Sequence, residues 1–219
     1  AQAGKHIYLE KPLGLSLDNM LELEKEVKKH KVHFHYGTQQ RSLSHCQRGI
    51  EMVRGGRIGD ISHVDIWAPG GAEARPIKPE DIVKPAGFDM KQWLGPAPEA
   101  EYSFARCQAS TGVWHNYDYA IGFLAGWGAH PLDIAVWGVK EQMKDVSTHK
   151  GTGAFFPEGI YFNTINNWDI DIKYDKGLTA HFMSTDWAQD TITKYLDQPA
   201  GDGTAFHGEK GWISISRGQ

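Results

Sequence analysis

The spacing of hydrophobic positions changes several times along the chain. His6–Glu10 reads as a short strand. A helix follows over 17–30, with Leu17, Met20, Leu21 and Val27 on one face. Ser16 is a good N-cap for it, and Lys28, Lys29 and His30 crowd its end, where positive charge suits the helix dipole. Val32–Tyr36 alternates as a second strand closed by Gly37. Strand, helix and strand over 6–36 make a βαβ unit, which predicts a parallel pair. A second helix fits 43–55, with Ile50, Met52 and Val53 inward and Gly55-Gly56 as its stop. Ile61–Trp67 alternates as the first strand of a new sheet. Residues 68–112 lack a period and are rich in Pro, Gly and Ala, which predicts a long excursion with a short helix near Met90–Leu94. Another helix fits 123–139. From 146 the period is two. Val146–Gly153, Ile160–Trp168, Asp169–Tyr174 and Leu178–Asp186 predict an antiparallel meander, and Thr204–His207 and Trp212–Ile215 two more short strands.

Composition narrows the class. The chain has 219 residues, 40% of them apolar, enough for one large or two small domains with a real core. A net charge of −4 argues against a nucleic-acid binder driven by phosphate neutralisation. No apolar run approaches the ~20 residues of a membrane helix. Two cysteines, Cys46 and Cys107, are too few for a disulfide scaffold, and neither has the setting of a thiol nucleophile. The opening Ala1-Gln2-Ala3-Gly4-Lys5 runs straight into a strand and reads as the middle of a βαβ array, so more chain upstream is expected. The cytoplasm is the favoured compartment, with an export signal left open by that N-terminus.

Three segments carry candidate chemistry. Glu10-Lys11-Pro12 lies at the carboxyl end of a strand, where open α/β sheets bind ligands. A cis bond before Pro12 would fix a sharp turn and aim the Lys11 ammonium into a cleft; the plainer reading is a surface lysine. In Trp127-Gly128-Ala129-His130-Pro131-Leu132-Asp133, His130 has the chemistry of an acid or base near neutral pH, and Asp133 shares its helical face; the plainer reading is a core histidine beside a capping Asp. Trp114-His115-Asn116-Tyr117-Asp118-Tyr119 joins flat rings to polar tips, as sugar sites do, or anchors a loop by its aromatics. His30, His33 and His35 lack acidic or cysteine partners at ligand spacing, so no metal is expected. No G-x-G-x-x-G follows a strand: Gly151-Thr152-Gly153 meets Phe156 where the third glycine belongs.

Together these pieces resemble the Gfo/Idh/MocA family of NAD(P)-dependent sugar and cyclitol oxidoreductases. Gly4-Lys5-His6-Ile7-Tyr8-Leu9-Glu10-Lys11-Pro12-Leu13 is similar to the family's G-K-H-V-x-x-E-K-P segment. Tyr36–Arg41 resembles the hand-over between its two domains, Tyr117–Trp137 the region of its catalytic histidine, and Phe206–Ile213 its late hairpin. The resemblance implies an α/β protein: a remnant of a Rossmann-like parallel βαβ unit over 1–40, then an α+β substrate-binding and oligomerisation domain over 41–219 with a large, mostly antiparallel sheet, shortened at its C-terminal end. It implies Lys11 and His130 as catalytic residues, with Glu10, Lys11, Pro12, Gln40 and Arg41 toward an NAD or NADP cofactor. Trp114, Tyr117, Asp118 and Asp133 face a sugar or polyol on this reading, and copies pair into a dimer or tetramer through the open sheet face. Two departures stand out. Gly126 replaces the Asp that many members carry four residues before the histidine, leaving Asp118 or Asp133 as substitutes or a weaker acid/base. The glycine-rich half of the nucleotide domain is not in this chain, which marks it as a fragment whose own cofactor binding is in question. The competing expectations are a non-catalytic sugar-binding or oligomerising module and redox-assisted glycoside cleavage on the same fold.

Overall fold

The computed structural model describes residues 1–71, 82–107, 112–197 and 201–218; the parts of the predicted excursion at 72–81 and 108–111 lie outside the described residues. The chain opens with β1 (Ile7–Glu10), α1 (Leu17–His30) and β2 (Phe34–Gly37). The strands pair in parallel, Ile7 opposite Phe34 and Glu10 opposite Gly37. Ser16 caps α1 by accepting the Asn19 N–H at 3.2 Å, as its side chain predicts. His33 and His35 are exposed, and the His35 ring stacks on Tyr8.

A 3-10 turn over Gln39–Ser42 leads to α2 (Ser44–Arg54) and β3 (Ile61–Ala68). The excursion holds α3 at Met90–Leu94, as expected, and a short α4 (Phe104–Cys107) that carries no sequence signal. The helix predicted over 123–139 is two helices, α5 (Gly122–Gly126) and α6 (Ala129–Val139). The break falls at Gly128, where a Cβ would stand 1.9 Å from the Leu124 carbonyl oxygen and 2.7 Å from Phe182. The break makes His130 and Pro131 first-turn residues of α6, where the missing proline N–H costs no helical bond.

The remaining strands are β4 (Val146–Phe155), β5 (Ile165–Tyr174), β6 (Thr179–Ser184), β7 (Gly203–Gly208) and β8 (Gly211–Ser216), with a short α7 (Gln189–Ile192) between β6 and β7. The two strands predicted over 160–168 and 169–174 are therefore one strand, starting later. Nothing at Trp168-Asp169 turns the chain, and residues before 165 are drawn off to the 112–119 loop, where Asn163 N–H donates to the His115 carbonyl at 2.9 Å. The sheet order is β4-β5-β6-β3-β7-β8, antiparallel except where β3 meets β6. This is the α/β architecture the sequence predicts, a small parallel unit followed by a large, mostly antiparallel sheet.

Alternation sorts the sheet's two faces. Val64, Ile66, Ala180, Phe182, Phe206 and Ile215 point inward and pack under Cys46, Ile50 and Val53 of α2 and Ile134, Ala135 and Val139 of α6. Trp67, Met183 and Ala205 point the other way and are covered by Ala188, Ile192, Tyr195 and Leu196. Among the described residues no helix is long and apolar enough to cross a membrane.

A polar cluster beside that second core ties the 189–197 segment to the sheet. Asp65, only 5% exposed, accepts from Tyr195 Oη at 2.5 Å and pairs with His63 and His207, each at 3.1 Å. Burial opposes ionisation of Asp65, but hydrogen bonds from His63 and Tyr195 and the nearby histidine charges outweigh it and hold the carboxyl at about 2. A carboxyl lowered on folding adds stability above its ordinary value of 3.8 and loses it as pH falls through about 2. Asp65→Asn is therefore expected to lose on the order of 2 kcal/mol at neutral pH, with the deficit shrinking between pH ~4 and ~2. Urea melts of both proteins across that range check this; a deficit that does not change with pH would place the loss elsewhere than in the Asp65 charge.

Candidate active site

The carboxyl end of β1 delivers Glu10, Lys11 and Pro12, and the Lys11–Pro12 peptide is cis. The Lys11 ammonium reaches across to the end of α5 and donates to the Gly126 carbonyl at 2.5 Å. It lies 5.1 Å from the Trp114 ring centre and 5.9 Å from that of Trp127, an arrangement that lets two indole faces stand in for lost water. Gly126 is what admits Trp114: a Cβ there would sit 3.1 Å from the indole. The site thus holds a tryptophan ring against the position where the resemblance leads one to look for a carboxylate.

His130 enters from the first turn of α6, 4% exposed, its ring edge-on to Trp127 at 5.8 Å. Arg217, just past β8, stands 5.5 Å from the same indole. Three groups that can carry positive charge therefore surround Trp127, coming from positions 11, 130 and 217. Their fields are legible in the proton affinities. Burial lowers the Lys11 ammonium below its usual 10.5 and Arg217 adds to this, while Glu10 and Asp202 oppose it. Burial, then the Lys11 and Arg217 charges, hold His130 at about 4. The imidazole is therefore neutral at physiological pH and free to accept a proton.

Other candidates are engaged elsewhere. Gln40 is buried and donates to Asp202 Oδ2 at 2.8 Å. Arg41 forms a two-pronged ion pair with Asp133, both bonds 2.7 Å, and lies over the Trp137 ring. That pair ties the turn after β2 to α6, and Asp133 is not among the charges acting on His130. Asp118 is not among them either. Tyr117 and Asp118 border a separate cavity of about 520 Å³ with Leu15, Leu94, Pro98 and Tyr119. Their backbone N–H groups are fixed by Asn163 and Asn116, each at 2.9 Å. His115 is a fully buried core histidine ringed by Phe123, Phe156 and Phe162, and burial lowers it to about 4.

Sequence reading misses Arg217 and Asp202. Arg217 sits in a bare Ser-Arg-Gly at a strand end, with no motif to mark it. Asp202 sits between two glycines, where a turn residue is the default reading, yet it is 4% exposed, and burial raises its carboxyl against the pull of Gln40, Arg217 and Lys11.

Comparison with known proteins addresses the fold. No family model matches the sequence, and no curated protein does. Solved structures match closely in shape. The aldose-aldose oxidoreductase of Caulobacter crescentus, complexed with glycerol, superposes with TM-score 0.64 at 18% identity, over 99% of this chain and 50% of its own. The WlbA dehydrogenase of Chromobacterium violaceum, in complex with NADH and UDP-GlcNAcA, gives 0.62 at 18% identity, over 98% and 49%. The myo-inositol 2-dehydrogenase of Lactobacillus plantarum gives 0.58 at 18% identity, over 98% and 51%. The fold is that of the Gfo/Idh/MocA oxidoreductases. The chain spans about half the length of the Gfo/Idh/MocA structures it matches.

That fold family implies a nicotinamide cofactor, and the residues present fit one end of it. Glu10, Lys11 and Pro12 place a carboxylate and an ammonium side by side at the carboxyl end of β1, donors and acceptors of the kind a nicotinamide carboxamide and its ribose would need. The pyrophosphate finds no cradle at this strand: the β1–α1 link over 11–16 contains only Gly14, and the first turn of α1 is already capped by Ser16.

The geometry makes the His130 titration a direct probe of the site. Removing the Lys11 charge with Lys11→Met is expected to raise the His130 midpoint from about 4, and Asp133→Asn is expected to leave it in place. NMR titration of the imidazole protons reads both. An unmoved midpoint in Lys11→Met would mean that the two groups do not sense each other.

Proposed function

We propose that this chain forms the substrate side of an oxidoreductase that moves hydride between a carbinol carbon of a sugar or polyol and a nicotinamide cofactor. The observation that supports it is the meeting of Lys11 and His130 at one indole, although 119 positions separate them in sequence. A bound nicotinamide supplies the hydride acceptor, with Glu10, Lys11 and Pro12 as the residues that would hold its reacting ring.

In the oxidation direction the substrate hydroxyl lies within hydrogen-bond reach of His130. The neutral imidazole takes its proton as the carbon–hydrogen bond breaks. Lys11, fixed by the Gly126 carbonyl, turns its remaining N–H donors to the same oxygen and stabilises the charge that builds there. Trp114 and Trp127 offer flat faces to the C–H side of the ring and exclude water, which strengthens both effects. In reduction, His130 returns the proton to the carbonyl oxygen. Copies of the protein pair through the outer sheet face, where Trp212 of β8 is 47% exposed.

Cofactor-dependent oxidation of a panel of aldoses and cyclitols, followed by NADH absorbance, tests this. His130→Ala and Lys11→Met are each expected to lower kcat by about 100-fold or more with unchanged circular dichroism. Turnover at the original rate in either variant removes that residue from the mechanism. Absence of any cofactor-dependent oxidation by the folded protein favours a non-catalytic sugar-binding module.

A further inference from the structure

Arg217 is exposed and touches the Trp127 ring, yet it forms no hydrogen bond or ion pair among the described residues. Its guanidinium therefore keeps its forked set of N–H donors free of protein partners among the described residues, while an aromatic face holds it at the ring that Lys11 and His130 also approach. Lys11 stands off the same ring, with one donor committed to Gly126 and the others uncommitted. Two carboxylates, Glu10 and Asp202, act on Lys11, and each has a place of its own. Asp202 is 4% exposed and bonded to Gln40, and the Glu10 carboxylate lies against Gly37, 2.5 Å from where a Cβ on that glycine would stand. The charges acting on His130, Lys11 and Arg217, are both cations, and both approach the ring of Trp127.

A neutral polyol brings no charge to the uncommitted donors of Arg217 and Lys11. A carboxylate matches them, because its two oxygens fit the planar guanidinium fork and bring a negative charge to the two cations. Resting on the sugar-site reading above, we propose that the substrate is an acidic sugar, its carboxylate held by Arg217 and its reacting hydroxyl between Lys11 and His130. The bound carboxylate has a second consequence. It offsets the two cations and raises the proton affinity of His130, so the acid substrate tunes the base that acts on it.

The test compares methyl β-D-glucopyranosiduronate with methyl β-D-glucopyranoside, which share a ring and differ in carboxylate against hydroxymethyl. Tryptophan fluorescence titration gives both affinities, and NMR gives the His130 midpoint. The acid is expected to bind at least about tenfold tighter, to lose that preference to within about twofold in Arg217→Gln, and to weaken as salt is added. It is also expected to raise the His130 midpoint, as the neutral glycoside does not. Equal affinities in the unaltered protein overturn the acidic-sugar assignment and leave the sugar site standing. A preference that survives Arg217→Gln overturns the role of Arg217. Binding of neither glycoside overturns the sugar-site reading and this inference with it.

Discussion

The contact between the Lys11 ammonium and the Gly126 carbonyl is the interaction on which the candidate site depends. It is the point where the small parallel unit meets the helices of the large sheet. A charged amine that is half-buried must find acceptors or aromatic faces, and here it finds one carbonyl and two indoles. The Arg41–Asp133 pair acts beside it as a second tie between the same two parts, anchoring α6 one turn below His130. Together they set where β1 ends relative to where α6 begins, and so the distance across which substrate would lie.

The local elements were legible because their signals are local. Ser16 caps α1 and basic residues close it, so that helix could be bounded from sequence. The alternation of β3, β6 and β7 reflects a sheet with a covered face on each side, and the strand signal survives in both. The failures share a cause as well. The break falls at Gly128, where Phe182, 54 positions away in sequence, and a carbonyl of the preceding turn leave no room for a side chain. The late start of β5 comes from a backbone bond to His115. Neither contact leaves a trace in periodicity.

The same division holds for the site. Lys11 and His130 sit in motifs that bring them to notice in sequence; Arg217 and Asp202, whose charges act on them, do not. Arg217 and Asp202 enter through the pairing of β7 with β8 and its register against β3, which is a property of the whole sheet. Asp133 illustrates the reverse error that spacing invites. Three residues beyond His130 it looks like a partner for the imidazole, but a long-range arginine with two parallel donors outcompetes a neighbour on the same helix.

An imidazole with no carboxylate behind it is a weak base, and burial beside two cations weakens it further. That is a liability only if the site must deprotonate a neutral ligand unaided. Gly126 leaves room for Trp114, and an indole carries no negative charge to share with the imidazole. On the proposed reading, the charge that restores basicity to His130 comes from the ligand. Arg217, held on an indole with no protein partner for its donors among the described residues, would on that reading receive the charge. On this view the acid group is both the handle by which the substrate is recognised and the partner the histidine lacks, which ties specificity to rate through one electrostatic term.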